Sequence, residues 1–335
     1  MGLRKFINQT GSLISRGIKG FDLYPQSIKL TFKGKDTFKT LFGGIMSMFI
    51  LALCATYGIS LLLIMINRGD SNKAVNTEFR DLYRQDQNVF PHEKGFRLGI
   101  ALTNSASQSI PIDPSFFTLK IDQGTFVYTG TSVSVQYTDL DYELCDIEKD
   151  FSLSGEALER GTLSSVYCPK NTDYKIAGNY LADNFQFLSV RLQKCTTGCQ
   201  PDAVIDAVIN NAFLSVVIEN SYLDFDDYDT PLKRFLDDRY FYSGLSTHKK
   251  RVKLYARENS AELSDDLIQL TGPKELEFLN LESAEVDMHP LTGSNEYFEV
   301  ILFLDPIKSI YTRTVFSFFD LFGLLGGVFE ILSII

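Results

Sequence analysis

TLFGGIMSMFILALCATYGISLLLIMIN, residues 40–67, holds 28 residues without a charge between Lys39 and Arg68. As a helix it would be about 42 Å long, against about 30 Å for the hydrocarbon layer of a bilayer. The alternative is a buried helix of a soluble protein, but such helices seldom stay apolar on every face over this length. The stretch therefore predicts a transmembrane helix over residues 40–67.

The charges on either side of this helix predict its orientation. Residues 1–39 carry eight basic residues and two acidic ones, whereas the segment after Arg68 mixes both signs. Because positive charge near the end of a span stays in the cytosol, we expect the N-terminus to be cytosolic. We interpret residues 1–39 as a cytosolic or interfacial arm and residues 40–67 as a retained signal anchor.

A second apolar segment lies at residues 310–335, IYTRTVFSFFDLFGLLGGVFEILSII. We interpret it as a second transmembrane helix that continues past its last residue, with both termini cytosolic. Gly323, Gly326 and Gly327 leave one face bare enough for another helix to approach closely. Glu330 would be an acid within the membrane, where it is expected to face another helix or water.

The sequence pattern of residues 68–309, which lie between these two segments, predicts a mainly β domain. Short runs rich in Phe, Tyr, Val and Ile alternate with Gly, Asn, Asp and Pro, and one isolated helix is expected at 201–212. Such regular short strands favour an antiparallel β-sandwich between the two membrane helices. Residues 68–313 have a net charge of −14, which argues against a nucleic-acid partner. The predicted strands are 95–103, 116–129, 132–137, 174–179, 185–194, 213–222, 251–256, 267–270 and 297–304.

Five cysteines divide between the membrane and the outer domain. Cys54 lies within the first span, where it acts as a small apolar residue. Cys145, Cys168, Cys195 and Cys199 lie on the expected non-cytosolic side, and their even number indicates two disulfides among three possible connectivities. A disulfide closing the turn between Cys195 and Cys199 would leave Cys145 to pair with Cys168. A zinc site is the alternative, but C-x-x-C pairs and a nearby His are missing.

An acidic loop at residues 224–229 is the most suggestive polar cluster. Carboxylates at alternate positions can wrap a calcium ion, although the EF-hand pattern is not met, and a solvated acidic loop is the favoured interpretation. The sequence lacks a P-loop, a Rossmann glycine pattern, GxSxG and HExxH. We therefore predict no enzyme, no cofactor and no catalytic residue. The four carboxylates of the calcium alternative are Asp224, Asp226, Asp227 and Asp229.

Short motifs flank the two apolar segments. Those at the first are Phe21-Asp22-x-Tyr24-Pro25 and Thr40-x-x-Gly43-Gly44. Those at the second are Asp305-Pro306-Ile307, Tyr311-Thr312, Ser317-Phe318 and Gly326-Gly327-Val328-Phe329. Together they resemble the ER–Golgi cargo receptors of the ERGIC/Erv family, and the chain also looks like two-span membrane proteins of ciliated protists. The first resemblance implies two spans, cytosolic tails and a luminal β-sandwich that helps load cargo into vesicles. That family's luminal cysteine cluster is not found here.

Three hypotheses about function follow. The first is a non-enzymatic two-pass membrane protein whose disulfide-bonded luminal or extracellular domain binds other proteins, acting in vesicle trafficking or cargo selection. The second is a subunit of an oligomeric two-span ion channel, with Glu330 lining the pore. The third is a structural protein of a membrane surface. The expected partners are the lipid bilayer, other membrane or luminal proteins, and further copies of the chain. ER and Golgi membranes are the favoured location, and the plasma or ciliary membrane is the alternative.

Overall fold

The structure, a computed structural model, describes residues 41–84, 87–106, 108–129, 132–146, 151 and 165–334. The predicted N-terminal arm, residues 1–39, lies outside these ranges. The chain divides into two compact units. One comprises residues 62–322, and the other comprises residues 1–61 together with 323–335.

Helix α1, Leu41–Ile66, matches the predicted first span to within one residue at each end. Most of its large apolar side chains are exposed, for example Leu41 at 86% and Ile66 at 59%, whereas Leu61 and Met65 are buried. In the described part of the chain, it is the one helix long and apolar enough to cross a membrane, over Gly44–Ile66.

The unit of residues 62–322 is mainly β-sheet. One helix, α2 at Asp202–Asn210, interrupts it where the isolated helix was predicted. The strands in the described ranges are β1 Ser71–Phe79, β2 Arg97–Asn104, β3 Ser109–Ile110, β4 Phe117–Thr129, β5 Ser132–Leu140, β6 Tyr142–Leu144, β7 Val166–Pro169, β8 Gln186–Lys194, β9 Ala212–Leu223, β10 Leu232–Ser243, β11 His248–Ser264, β12 Lys274–Pro290, β13 Glu296–Leu304 and β14 Ile307–Val315.

These strands form two sheets. The larger has the order β1-β14-β11-β13-β8-β4-β5, with β12 on the other side of β11, and the smaller has the order β10-β9-β2-β7-β6, with β3 beside β2. The mainly β fold with two sheets agrees with the predicted antiparallel β-sandwich, except at β11, which pairs in parallel with β13 and with β14. The two shorter strands lie one after the other along this single long strand, so both run in its direction.

The main core lies where alternate side chains of the two sheets meet. Leu98, Ile100 and Leu102 of β2 are among its members, together with Ile205 and Ile209 of α2. The predicted strand at residues 267–270 is absent. The carboxylate of Asp266 instead accepts hydrogen bonds from the backbone N–H groups of Ile268 and Leu270, which makes a turn.

Helix α3, Phe318–Ile334, begins eight residues later than the predicted second span. The first residues of that predicted span belong to β14, so the β unit extends to Val315 and not to residue 309. The helix begins where it does because of a reciprocal cap. Ser317 Oγ accepts the backbone N–H of Asp320, and the Asp320 carboxylate accepts the backbone N–H of Ser317.

Two disulfides join strand ends within the β unit. Cys145 is bonded to Cys168 beside β6 and β7, and Cys195 is bonded to Cys199 just after β8. Of the three connectivities that the sequence left open, this is the one in which the disulfide of Cys195 closes a short turn. Each disulfide closes a loop in a region of short strands and turns, and it stabilises the unit by restricting the unfolded chain there.

Candidate functional site: an aromatic cavity on the larger sheet

A row of aromatic residues crosses the face of the larger sheet that points away from the main core. Strand register aligns Tyr137 with Gly124, Gly124 with Phe187, and Tyr255 with Phe303. Because side chains alternate between the two faces of a strand, these residues lie on the same face. The row therefore comes from five neighbouring strands, β5, β4, β8, β13 and β11.

Gly124 allows the Phe187 ring to lie directly on the sheet. An added Cβ at Gly124 would approach three atoms of that ring within 3 Å, which real Cβ atoms essentially never do. The Phe187 ring in turn lies 6.0 Å from the ring of Phe126 and 5.6 Å from that of Phe303, measured between centroids. Such tilted and edge-on pairs each add to the free energy of packing beyond the buried area.

A cavity of about 700 Å³ opens above this row. Its aromatic walls include Tyr180 and Phe185, whose rings lie 4.9 Å and 4.7 Å from Phe126. The segment Phe79–Leu82 also lines it. Its volume lies within the range of small-molecule and side-chain binding sites, which are typically concave and mostly apolar.

One end of the cavity is charged. Arg251 Nε donates a hydrogen bond to Glu299 Oε2 at 2.7 Å, and both residues line the cavity. Nearby, the Arg191 guanidinium carbon lies 4.5 Å from the centroid of the Tyr137 ring, a cation–π contact. Burial and the neighbouring Glu299 carboxylate raise the pKa of Tyr137, so its hydroxyl stays neutral and can donate a hydrogen bond.

A buried carboxylate lies next to this end. Asp122 is fully buried, and its Oδ2 accepts hydrogen bonds from Arg191 Nη2 at 2.5 Å and from Nε at 3.0 Å. Asp139 lies directly opposite on β5. Burial, with an added contribution from the hydrogen bond to the Asp139 carboxyl, raises the pKa of Asp122 despite the arginine. Two carboxyl groups thus face each other across the pairing of β4 with β5.

The acidic loop bonds to lysines and to its own backbone. Asp226 pairs with Lys73, and Asp227 pairs with Lys233. The Asp227 carboxylate also accepts the backbone N–H of Thr230 at 2.9 Å, and the lysine beside it holds its pKa well below the usual range. Across the described ranges, no group of three or more His, Cys, Asp or Glu side chains is placed to hold a metal ion. The structure thus gives no support to the calcium alternative for Asp224, Asp226, Asp227 and Asp229.

Arg313 of β14 anchors the backbone of this loop. Its side chain is fully buried and makes two hydrogen bonds to the Asp265 carboxylate, at 2.8 and 2.5 Å. Its Nη1 donates to the backbone carbonyls of Phe225 and Asp227 at 2.9 Å each, and its guanidinium carbon lies 4.2 Å from the centroid of the Tyr228 ring. The loop is therefore a rigid part of the β unit.

The glycines predicted for helix packing are open in this single chain. An added Cβ at Gly323, Gly326 or Gly327 would meet no atom within 4 Å, whereas one at Gly58 of α1 would lie 3.3 Å from Leu325 of α3. The two helices thus meet at a different glycine, and packing against the predicted face stays a prediction. Glu330 is exposed on α3.

The cavity was missed by the sequence analysis. Phe126, Phe187 and Phe303 were each assigned to predicted strands, but their partners across strands were unknown. One signal in the sequence could have found them. Within each strand, these Phe residues occupy the positions between those of the main core, so they lie on the opposite face. This alternation alone predicts a second apolar face, and only the sheet order shows that the three rings are neighbours.

The profile of one protein family, described as Uncharacterised 80 kDa protein N-terminal domain, matches residues 98–305. No curated protein matches the chain.

Among solved structures, the chain is similar to a cryo-EM structure of a proton-activated chloride channel, with 13% identity over 88% of this chain and 94% of that one, at a TM-score of 0.35. It is also similar to a crystal structure of Erv41p, with 8% identity over 72% and 99% of the two chains and a TM-score of 0.23. A P2X receptor from the Gulf Coast tick, crystallised with ATP and Zn²⁺, has 9% identity over 86% and 97% of the two chains and a TM-score of 0.12. These TM-scores are too low for a common fold to follow, so the Erv resemblance rests on the two sequence margins.

Proposed function

This chain belongs to the family of the Uncharacterised 80 kDa protein N-terminal domain, and we propose that it is a membrane-anchored, non-enzymatic binding protein whose β unit holds a partner protein at the aromatic cavity. The cavity is the observation that carries the proposal. It places several large rings around about 700 Å³, and it lies on a sheet face outside the main core.

The chemistry of the cavity suits recognition. Tyr180 and Tyr137 are exposed at the cavity, above buried rings such as that of Phe187. Exposed aromatic side chains around a concavity are typical of residues that dominate binding energy at interfaces. The ionic groups at its charged end, Arg251 and Glu299, are hydrogen-bonded to each other, which favours a fixed polar rim over proton transfer. A partner would therefore insert one or two apolar side chains and place a polar group at this rim.

The remainder of the chain supplies the anchor in this proposal. Helix α1 spans the membrane with the N-terminus in the cytosol, and α3 forms a second span. The two disulfides suit an oxidising compartment, in agreement with a luminal location in ER or Golgi membranes and a role in cargo selection during vesicle trafficking. The open glycines of α3 would accept a helix of a further copy, which would make the protein an oligomer.

The binding test uses the full chain in lipid nanodiscs and a library of displayed random peptides. We expect enriched peptides to carry aromatic or aliphatic residues and to lose about tenfold in affinity on the Tyr180→Ala variant, which removes a wall of the cavity. Tyr222→Ala is the matched control, because Tyr222 is also exposed and also pairs with a phenylalanine, Phe235, but on the smaller sheet. Failure to enrich any peptide, or equal affinities for wild type and Tyr180→Ala, would refute the proposed cavity site.

The topology test uses protease digestion of sealed microsomes with their cytosolic side outward. We expect the β unit to be protected until detergent is added, while a tag at the N-terminus is removed at once. Digestion of the β unit in intact microsomes would place it on the wrong side of the membrane for this proposal.

A further inference from the structure

Within the described residues, the strand beside the cavity has one edge without a paired strand. In the described part of the larger sheet, β5 is the last strand, and it pairs on one side alone, with β4. Its residues 132–139 are all exposed, and Val133 and Tyr137 are 49% and 44% exposed. Among the described residues, no strand pairs with the outer edge of β5 from Val133 onward, so that edge can accept an added strand.

The composition of this edge is unusual for a sheet. Residues 132–138, SVSVQYT, contain neither a charge nor a proline, and the single charge of β5 is Asp139, next to its last residue. Natural proteins normally guard long edges with charges, prolines or bulges, because an open edge pairs with any suitable strand. The other long edge strands of the described sheets are guarded: β1 and β12 carry charges of both signs, and β10 carries charges together with a bulge. Among the long edge strands of the described sheets, the edge of β5 thus differs from the others.

The edge is continuous with the aromatic cavity. Val135 and Tyr137 belong to β5 and also line the cavity. A strand added to β5 would lie about 4.8 Å outside it, with alternate side chains on the cavity side, next to Val135 and Tyr137. Backbone pairing and side-chain insertion would therefore occur together, as in other cases of recognition by strand addition.

Charge at one end of β5 specifies the occupant further. Residues 139–146, DLDYELCD, contain four acidic residues and no basic one. Asp139 and Asp141 line a shallow depression there with Lys170, so the surroundings stay negative overall. A bound segment would be favoured by a basic residue at the end that lies beside these two carboxylates.

We propose that β5 captures an extended segment of a partner protein as an added strand, with apolar side chains at alternate positions over the cavity and a lysine or arginine beside Asp139 and Asp141. This inference rests on the proposed binding function and specifies how the partner is recognised. The backbone of the partner supplies the pairing, and its alternate side chains and its basic end supply the specificity.

The test uses the tightest peptide from the displayed library, made in versions with one N-methylated residue each. Strand addition predicts a period of two: methylation weakens binding by roughly five- to tenfold at positions whose N–H faces β5 and has little effect at the positions between. The peptide's basic residue is then changed to glutamine. Affinity should fall by about two- to fivefold on the wild type, and by less on the double variant Asp139→Asn and Asp141→Asn, since the removed charge pair is exposed.

The possible results distinguish a failure of strand addition from a failure of the proposed binding function. Peptides that need Tyr180 but show no alternation on N-methylation would overturn strand addition and leave the cavity site standing. Peptides that alternate but ignore the two aspartates would overturn the basic end. The chain could instead form a dimer through this edge. If the peptide disrupts such a dimer and the edge variant Gln136→Lys abolishes it, a second copy occupies the edge, which also overturns the inference.

Discussion

Gly124→Ala tests the architecture of the cavity with the smallest possible change. The added methyl group would be too close to three atoms of the Phe187 ring; even the third of them, Cε1, is 2.9 Å away, whereas ordinary contacts are 3.4–4 Å. Because the nearest ring atom, Cζ, would be only 2.3 Å away, the ring must retreat by about 1.1 Å to reach ordinary contact, and the direction away from the sheet leads into the cavity. Overpacking of this kind costs about 1–3 kcal/mol, or roughly 2–12 °C in Tm for a domain of this size.

The two readouts for Gly124→Ala are the Tm of the chain in nanodiscs and the affinity of the selected peptide by fluorescence anisotropy. We expect a modest loss of stability and a loss of affinity of about tenfold, because the displaced ring occupies binding space. Gly272→Ala is the control, since an added Cβ there meets no atom within 4 Å. Unchanged affinity together with an unchanged near-ultraviolet circular dichroism spectrum would refute the idea that Gly124 shapes the cavity.

Arg313→Ala should lower the free energy of unfolding by about 2–4 kcal/mol in a denaturant titration, because it leaves the partly buried Asp265 carboxylate and two backbone carbonyls without their donor. Arg84→Ala, whose ion pair is exposed, should change it by less than about 0.5 kcal/mol, and equal effects would contradict the anchoring role of Arg313. For Asp122 the raised pKa means that the folded state holds the proton more tightly than the unfolded state, so its stabilising contribution is lost as pH rises from about 4. As pH rises above about 4, the Tm of the wild type should therefore fall relative to the Tm of Asp122→Asn. A wild-type Tm that rises relative to the variant over the same pH range would contradict the raised pKa of Asp122. Removing the disulfide of Cys145 should cost about 3.5 kcal/mol and removing that of Cys195 about 2 kcal/mol, because the first closes the longer loop; calorimetry that finds the reverse order would show that strain or packing decides instead.

Local patterns predicted the first helix, seven of the fourteen described strands and the presence of two disulfides. The uncharged run at residues 40–67 leaves little freedom, and helix α1 has nearly the same bounds. The pairing of Cys195 with Cys199 was expected because the two residues flank a short turn. Each of these features depends on residues close together in the sequence, where composition and spacing carry the information.

Features that depend on strand order were not predictable in this way. The segment 310–315 is apolar enough to be taken for membrane, but its alternation fits a strand once β1 is available as a partner. The parallel pairing of β11 and the grouping of Phe126 with Phe303 also arise from neighbours distant in sequence. Tertiary pairing thus overrides local preference at these places.

The pairing of β1 with β14 joins strands more than two hundred residues apart, one near each end of the β unit. During synthesis, a ribosome adding about 5–20 residues per second takes roughly ten to fifty seconds to cover that interval. Throughout this interval the nascent β1 has no β14 to pair with. Both disulfide-closed loops are synthesised during the interval, before β14. The last step in closing the domain must therefore wait for its final strand, and a chaperone would have most reason to bind during this interval.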